Sequence, residues 1–156
     1  MAPSSRSPLS GLLGSLMVMA GLSGGAHAGE ALIDNPSAGE PEYVIRQLIQ
    51  AALTEDPEEG WGQFRAWLHS DQLASPASER SWKTMNYAAF RRSVRHLLPD
   101  ESKPVFRRAY VEKIGGGRHE YLKVFVVSKS SDMPKPFHLM RDPQAEQDWR
   151  LNGSLN

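Results

Sequence analysis

Not one of the 156 residues is cysteine. That absence removes disulfides, thiol nucleophiles, thiolate metal sites and lipid attachment at a cleavage-site cysteine, so packing alone must hold the folded chain. Net charge is missing as well, with 18 basic residues against 18 acidic ones. Long apolar runs are also absent. The longest, residues 9–22, is broken by Gly11, Gly14 and Ser15 and falls short of the roughly 20 residues that span a bilayer, so no transmembrane span is expected.

The beginning of the chain carries a different pattern. Arg6 supplies a positive start, residues 9–22 an apolar segment, and Ala26-His27-Ala28 a small-x-small cleavage site. Together these predict a secretory signal over residues 1–28, cleaved after Ala28, and hence a periplasmic or secreted protein. The 128 residues that remain suffice for one ordinary core. Residues 29–40 are rich in Gly, Ala, Ser, Asn and Pro without periodicity and are expected to form a flexible lead-in, leaving residues 41–156 as a single domain.

Charge is distributed unevenly. Residues 29–79 hold two basic and ten acidic side chains, whereas residues 80–123 hold eleven basic and four acidic ones. A helix is expected from Pro41 to about Thr54, with Val44, Ile45, Leu48, Ile49 and Leu53 in one apolar stripe. Asp56-Pro57-Glu58-Glu59 predicts a second helix start, with Asp56 as cap, Glu59 in the capping-box position, and Trp61, Phe64, Trp67 and Leu68 on the buried side. After a break at residues 75–78, Trp82, Met85, Tyr87, Phe90, Val94, Leu97 and Leu98 predict a third helix whose exposed side carries Arg91, Arg92 and Arg95. The C-terminal third then predicts four strands, at residues 105–114, 121–127, 137–141 and 149–155, separated by turn-forming residues. In the last of these, Trp149, Leu151, Gly153 and Leu155 share one side. In the second, Tyr121, Phe125 and Val127 alternate with Leu122, Val124 and Val126, so both sides are largely apolar and the strand belongs at the centre of the sheet. The expected fold class is therefore α+β, with three N-terminal helices packed on a curved four-stranded antiparallel sheet.

That order of elements, closed by Trp149-Arg150-Leu151, resembles the nuclear transport factor 2-like superfamily of cystatin-like α+β rolls. The resemblance implies a pocket between the concave side of the sheet and the helices, used in some relatives for isomerase or hydrolase chemistry and in others for binding or dimerisation. It also implies a short extra strand between the second and third helices. Residues 72–82 are the place considered for it, and they are not strand-like.

Isomerase-like chemistry in such a pocket needs a desolvated carboxylate facing a phenol or a protonated acid. The candidates are Glu112 and Asp142 as bases and Tyr87, Tyr110 and Tyr121 as phenols, each with the alternative of a purely structural role. Histidines occur singly and match no metal-site spacing, so neither a metal nor a cofactor is expected. Gly115-Gly116-Gly117-Arg118 lies between two strands and lacks the Gly-Lys-Ser/Thr ending of a phosphate loop, which makes it a hairpin tip. Arg91, Arg92 and Arg95 with Arg107 or Arg108 predict an anion-binding surface, and Tyr110 completes the set of ligand-binding candidates. The alternative is that the acidic helices neutralise these arginines. The expected function is an exported, non-enzymatic binding module for an anionic or apolar envelope component or a protein partner, with a homodimer among its assemblies. A small cofactor-free enzyme of the same roll is the second reading. Export argues against nucleic acid as a natural target.

Overall fold

The computed structural model describes residues 29–116 and 120–155. The expected signal segment and the Gly117-Arg118 part of the hairpin tip lie outside these residues.

Helix α1 spans Pro41–Leu53, with Pro41 in its first turn and Val44, Ile45, Leu48 and Ile49 buried along one side. Helix α2 spans Pro57–Arg65, and the Asp56 carboxylate accepts from the backbone N–H groups of Glu58 (2.7 Å) and Glu59 (3.1 Å). Asp56 thus serves two of the orphan donors itself. The expected reciprocal bond from Glu59 is not seen; its carboxylate accepts from Gln63 Nε2 at 3.2 Å.

The expected break at residues 75–78 is instead a helix start. Ser75 Oγ accepts from Ser78 N at 3.1 Å and Pro76 occupies the first helical position, so the same residues that resemble a loop cap a helix. This third helix, α3, is continuous over residues 76–97 through an α segment Pro76–Ser81, a π segment Trp82–Tyr87, a second α segment Ala88–Ser93 and a 3-10 end Val94–Leu97. The π segment corrects the expected buried stripe. Trp82 and Tyr87, five residues apart, are both buried, while Met85 is 66% exposed.

The sheet has five antiparallel strands in sequence order rather than four. Strand β1 is Ala31–Ile33, β2 Phe106–Ile114, β3 Tyr121–Ser128, β4 Ser131–Asp142 and β5 Asp148–Leu151. The added strand comes from the segment expected to be a flexible lead-in. Its three apolar residues are too few to show a period, and they pair with β2 so that Leu32 faces Arg107 and Ala31 faces Arg108. Strand β4 begins earlier than expected despite Pro134 and Pro136. Strand β5 pairs only with residues 139–142, so both prolines lie where β4 is an edge, the position that tolerates a missing N–H. Register shifts between Arg108 and Tyr110 and between Val126 and Ser128 mark bulges, which bend and twist a sheet. Strand β5 stops at Leu151; Gly153 sits at φ +144°, yet Leu155 is buried again beyond it.

Past β5, Leu68 forms a single parallel bridge with Leu151: His69 N donates to Leu151 O and Leu151 N to Trp67 O, both at 2.8 Å. Strand pairing between the second and third helices therefore occurs before residues 72–82, and it covers an edge that would otherwise be open.

The helices cover one side of the sheet. Val111, Leu122, Val124, Phe137, Leu139 and Leu151 face them and are buried. Phe64 is the hub, with ring centroids 5.0 Å from Tyr87 and 5.9 Å from Phe90, and Phe90 meets Phe137 of the sheet edge-on at 5.9 Å. These phenylalanines, with Ile45, Leu48 and Phe106, are under 2% exposed. The centre of the space between sheet and helices is filled by side chains.

Candidate functional site

The arginines expected to form one basic surface are dispersed. Arg91 Nη1 donates to Thr54 O at 2.6 Å and Nη2 to Glu55 O at 3.3 Å, so this guanidinium caps the carbonyl end of α1. Arg91 also touches Tyr87 Oη at 3.2 Å. Arg108 turns toward the helices and pairs with Glu42, both largely buried, while donating to Gly29 O. Arg107 lies on the opposite side of β2, 3.6 Å from Glu30. Arg95 is exposed, 4.0 Å from Glu101, and Arg92 is exposed beside it on α3. Only Arg92 and Arg95 present their charges outward from the same turn; acidic side chains of the N-terminal part take Arg107 and Arg108.

Neither candidate base meets a phenol in a cavity. The register places Glu112 directly across from Lys123 on the side of the sheet away from the helices. Asp142 is buried, and burial alone would raise its pKa. Hydrogen bonds from Gln144 N (2.9 Å), Ser70 N (2.8 Å) and Ser70 Oγ (2.9 Å), with a smaller effect of His69, outweigh burial and hold the carboxyl below its ordinary value. His69 is equally structural: Nδ1 accepts from Asp71 N and Nε2 lies 3.3 Å from Arg141 O. The pair Asp142 and His69 thereby ties the 3-10 turn Ser70–Leu73 to the end of β4. Tyr87 Oη lies 3.3 Å from Pro57 O and 3.4 Å from Ala51 O, inside the helix layer. Among the described residues no group of three or more His, Asp or Glu is placed to hold a metal.

What the fold leaves open is the outer side of the sheet. Tyr110 lies across from Phe125, their rings stacked at 4.2 Å, and Phe125 lies across from Pro136. Toward the other end of the strands, Tyr121 faces Met140 and Lys123 faces His138. Tyr121, His138, Met140 and Asn152 wall a cleft of about 390 Å³ on this side. Gly153 closes its rim: a Cβ there would sit 3.1 Å from His138 Cβ. The His138 imidazole is held below its ordinary value of 6.5, first by burial and then by the Lys123 charge. At the far edge, Leu32 is 60% exposed beside Arg107. Tyr110 is thus the one ligand-binding candidate that belongs to this surface as an aromatic group. The alternation of Tyr121, Phe125 and Val127 marks a central strand, and nothing in the sequence singles out Pro136, His138, Met140 or Asn152.

No helix among the described residues is long and apolar enough to cross a membrane. Comparison with protein-family models, with curated proteins and with solved structures finds no match to this chain.

Proposed function

We propose that this chain is an exported, non-enzymatic interaction module that binds a protein partner on the outer side of its sheet. The observation that carries the reading is the contrast between the two sides. The centre of the helix-facing side is packed with phenylalanines under 2% exposed, while the outer side leaves Tyr110 exposed and its stacked partner Phe125, with Pro136, Tyr121 and Met140, only half-buried. Aromatic residues and methionine with sparse charge are the composition of an interface centre. Lys123 and Glu112, side by side there, supply one charge of each sign for a partner to match. Enzyme chemistry loses its support, because Asp142 accepts its hydrogen bonds from Ser70 and Gln144 and Glu112 faces Lys123 on the outer side of the sheet rather than a phenol in a cavity. Export rests on the signal pattern of residues 1–28, and N-terminal sequencing of the native protein should begin at Gly29.

The test is site-specific photocrosslinking in the exporting cell, with p-benzoylphenylalanine at position 110 and, as control, at the exposed position 85 of α3. A discrete adduct from position 110 alone, lost on Phe125→Glu, supports the reading. Its mass separates a second copy of this chain from another protein. No adduct at position 110, or the same adducts from both positions, overturns it.

A further inference from the structure

The cleft between the last turns of α3 and the β3–β4 hairpin meets the outer side of the sheet only at Pro136, and one of its side chains is electrostatically unfinished. Four cations occupy helix-facing register positions on β2 and β4. Three of them are engaged: Arg108 with Glu42, Lys113 with Glu120 at 3.2 Å, and Arg141 stacked 4.0 Å above the Trp149 ring. The fourth, Lys135, lies across from the fully buried Val126, is half-buried, and has neither ion pair nor hydrogen bond with any described residue. Burial pushes its amine below the ordinary lysine value. Of the carboxylates near this end, Glu101 is drawn to Lys129 at 3.7 Å and Arg95 at 4.0 Å, Asp100 lies 3.9 Å from Lys103, and the exposed Asp132 forms no ion pair with Lys135.

Around Lys135 the cleft encloses about 240 Å³ and is lined by His96, by serines 93, 128, 130 and 131, and by apolar Leu97, Met133 and Pro136. Hydroxyl protons remain unspent there. Ser131 Oγ accepts from Met133 N at 3.1 Å, which leaves its O–H free to donate. Ser128 and Ser130 share one hydrogen bond of 2.9 Å between their hydroxyls, which leaves one proton over. A half-desolvated ammonium and two hydroxyl donors lining one cleft are a complement for an oxyanion, and an arriving anion offsets the desolvation that Lys135 bears alone. Met133, which is 78% exposed, and Pro136 continue the wall with apolar surface.

We infer that this cleft binds a small organic anion, its carboxylate on Lys135 and the Ser131 hydroxyl and its short apolar body along Met133, Leu97 and Pro136. The full mature chain is titrated by calorimetry and NMR with sodium hexanoate, sodium acetate and inorganic phosphate, beside Lys135→Met and Lys129→Met variants. Lys135→Met retains the stem of the side chain and removes only its charge, so the fold is kept. The expected result is saturable hexanoate binding, weaker for acetate, with affinity reduced at least about tenfold in Lys135→Met and unchanged in Lys129→Met. Thermal melts provide a second readout: hexanoate raises the midpoint of the wild type and of Lys129→Met but not of Lys135→Met. Equal binding by wild type and Lys135→Met overturns the assignment, as does absence of saturation by hexanoate up to about 10 mM. Saturable phosphate binding with hexanoate silent overturns the organic-acid class.

Discussion

Gly60 is where the packing of the three helices can be tested most sharply. It lies in α2 against the end of α1 and the π segment of α3, and a Cβ built on it falls inside contact with Tyr87 Oη and 2.5 Å from the Ala51 carbonyl oxygen. Tyr87 cannot swing clear, because it is 3% exposed and its hydroxyl is held among Pro57 O, Ala51 O and Arg91. Alanine at position 60 therefore overpacks the junction, which costs about 1–3 kcal/mol, while the better helix propensity of alanine returns up to about 1 kcal/mol. The net expectation for Gly60→Ala is a loss of about 1–2 kcal/mol. Gly62, two residues on in the same helix, is exposed and has nothing within 4 Å of its Cβ position. Gly62→Ala is thus expected to gain about 0.5–1 kcal/mol. Urea unfolding followed by circular dichroism measures both, and the opposite signs make each variant the control of the other. If both substitutions stabilise, or both destabilise to a similar extent, the close approach of α2 to α1 and Tyr87 is wrong.

Trp149 lies on the helix-facing side beside Tyr43 and Val44, and Trp149→Ala should destabilise by about 3–5 kcal/mol in the same assay. Because the folded-state pKa of Asp142 lies below its ordinary 3.8, its contribution is present above that value and is lost as pH falls through the depressed pKa. Asp142→Asn should consequently lower stability at pH 7 by about 1–3 kcal/mol and flatten the acid limb of a stability–pH curve measured by urea unfolding below pH 4. His138 is held low partly by Lys123, so Lys123→Gln should raise the imidazole pKa read from an NMR titration, and a fall would contradict the outer-side register.

The sequence made the long, periodic elements legible. Pro41 and the Val44–Ile49 stripe located α1, Asp56 located the start of α2, and the two-sided apolar pattern of residues 121–127 placed β3 inside the sheet. Elements whose signal is short or shared with another structure were not legible. Ala31-Leu32-Ile33 carries too few residues for a period, and its pairing depends on an edge of β2 more than seventy residues away in the chain. Ser75-Pro76 is chemically equal as a break and as a cap. Trp82 and Tyr87 look like a helical pair until the five-residue spacing is given its π geometry, and the same irregularity turns Met85 to solvent. For the site, residue type proved an incomplete guide. Arginine spacing suggested a shared surface, yet Arg91 serves the backbone carbonyls of Thr54 and Glu55 just past α1 and Arg108 serves Glu42, contacts set by tertiary approach. Lys135 gave no sequence signal, since its meaning lies in what is missing around it.

The most direct measurement is tyrosine footprinting of the protein in the cell that produces it beside the purified chain. Tyr110 and Tyr121 lie on the outer side of the sheet and Tyr87 lies in the core, so the three report separately on interface and fold. Tyr110 and Tyr121 are expected to be labelled in the purified chain and protected in the cell, with Tyr87 protected in both. Equal labelling of Tyr110 and Tyr121 in the two preparations, with Tyr87 still protected, would mean that the outer side of the sheet carries no partner.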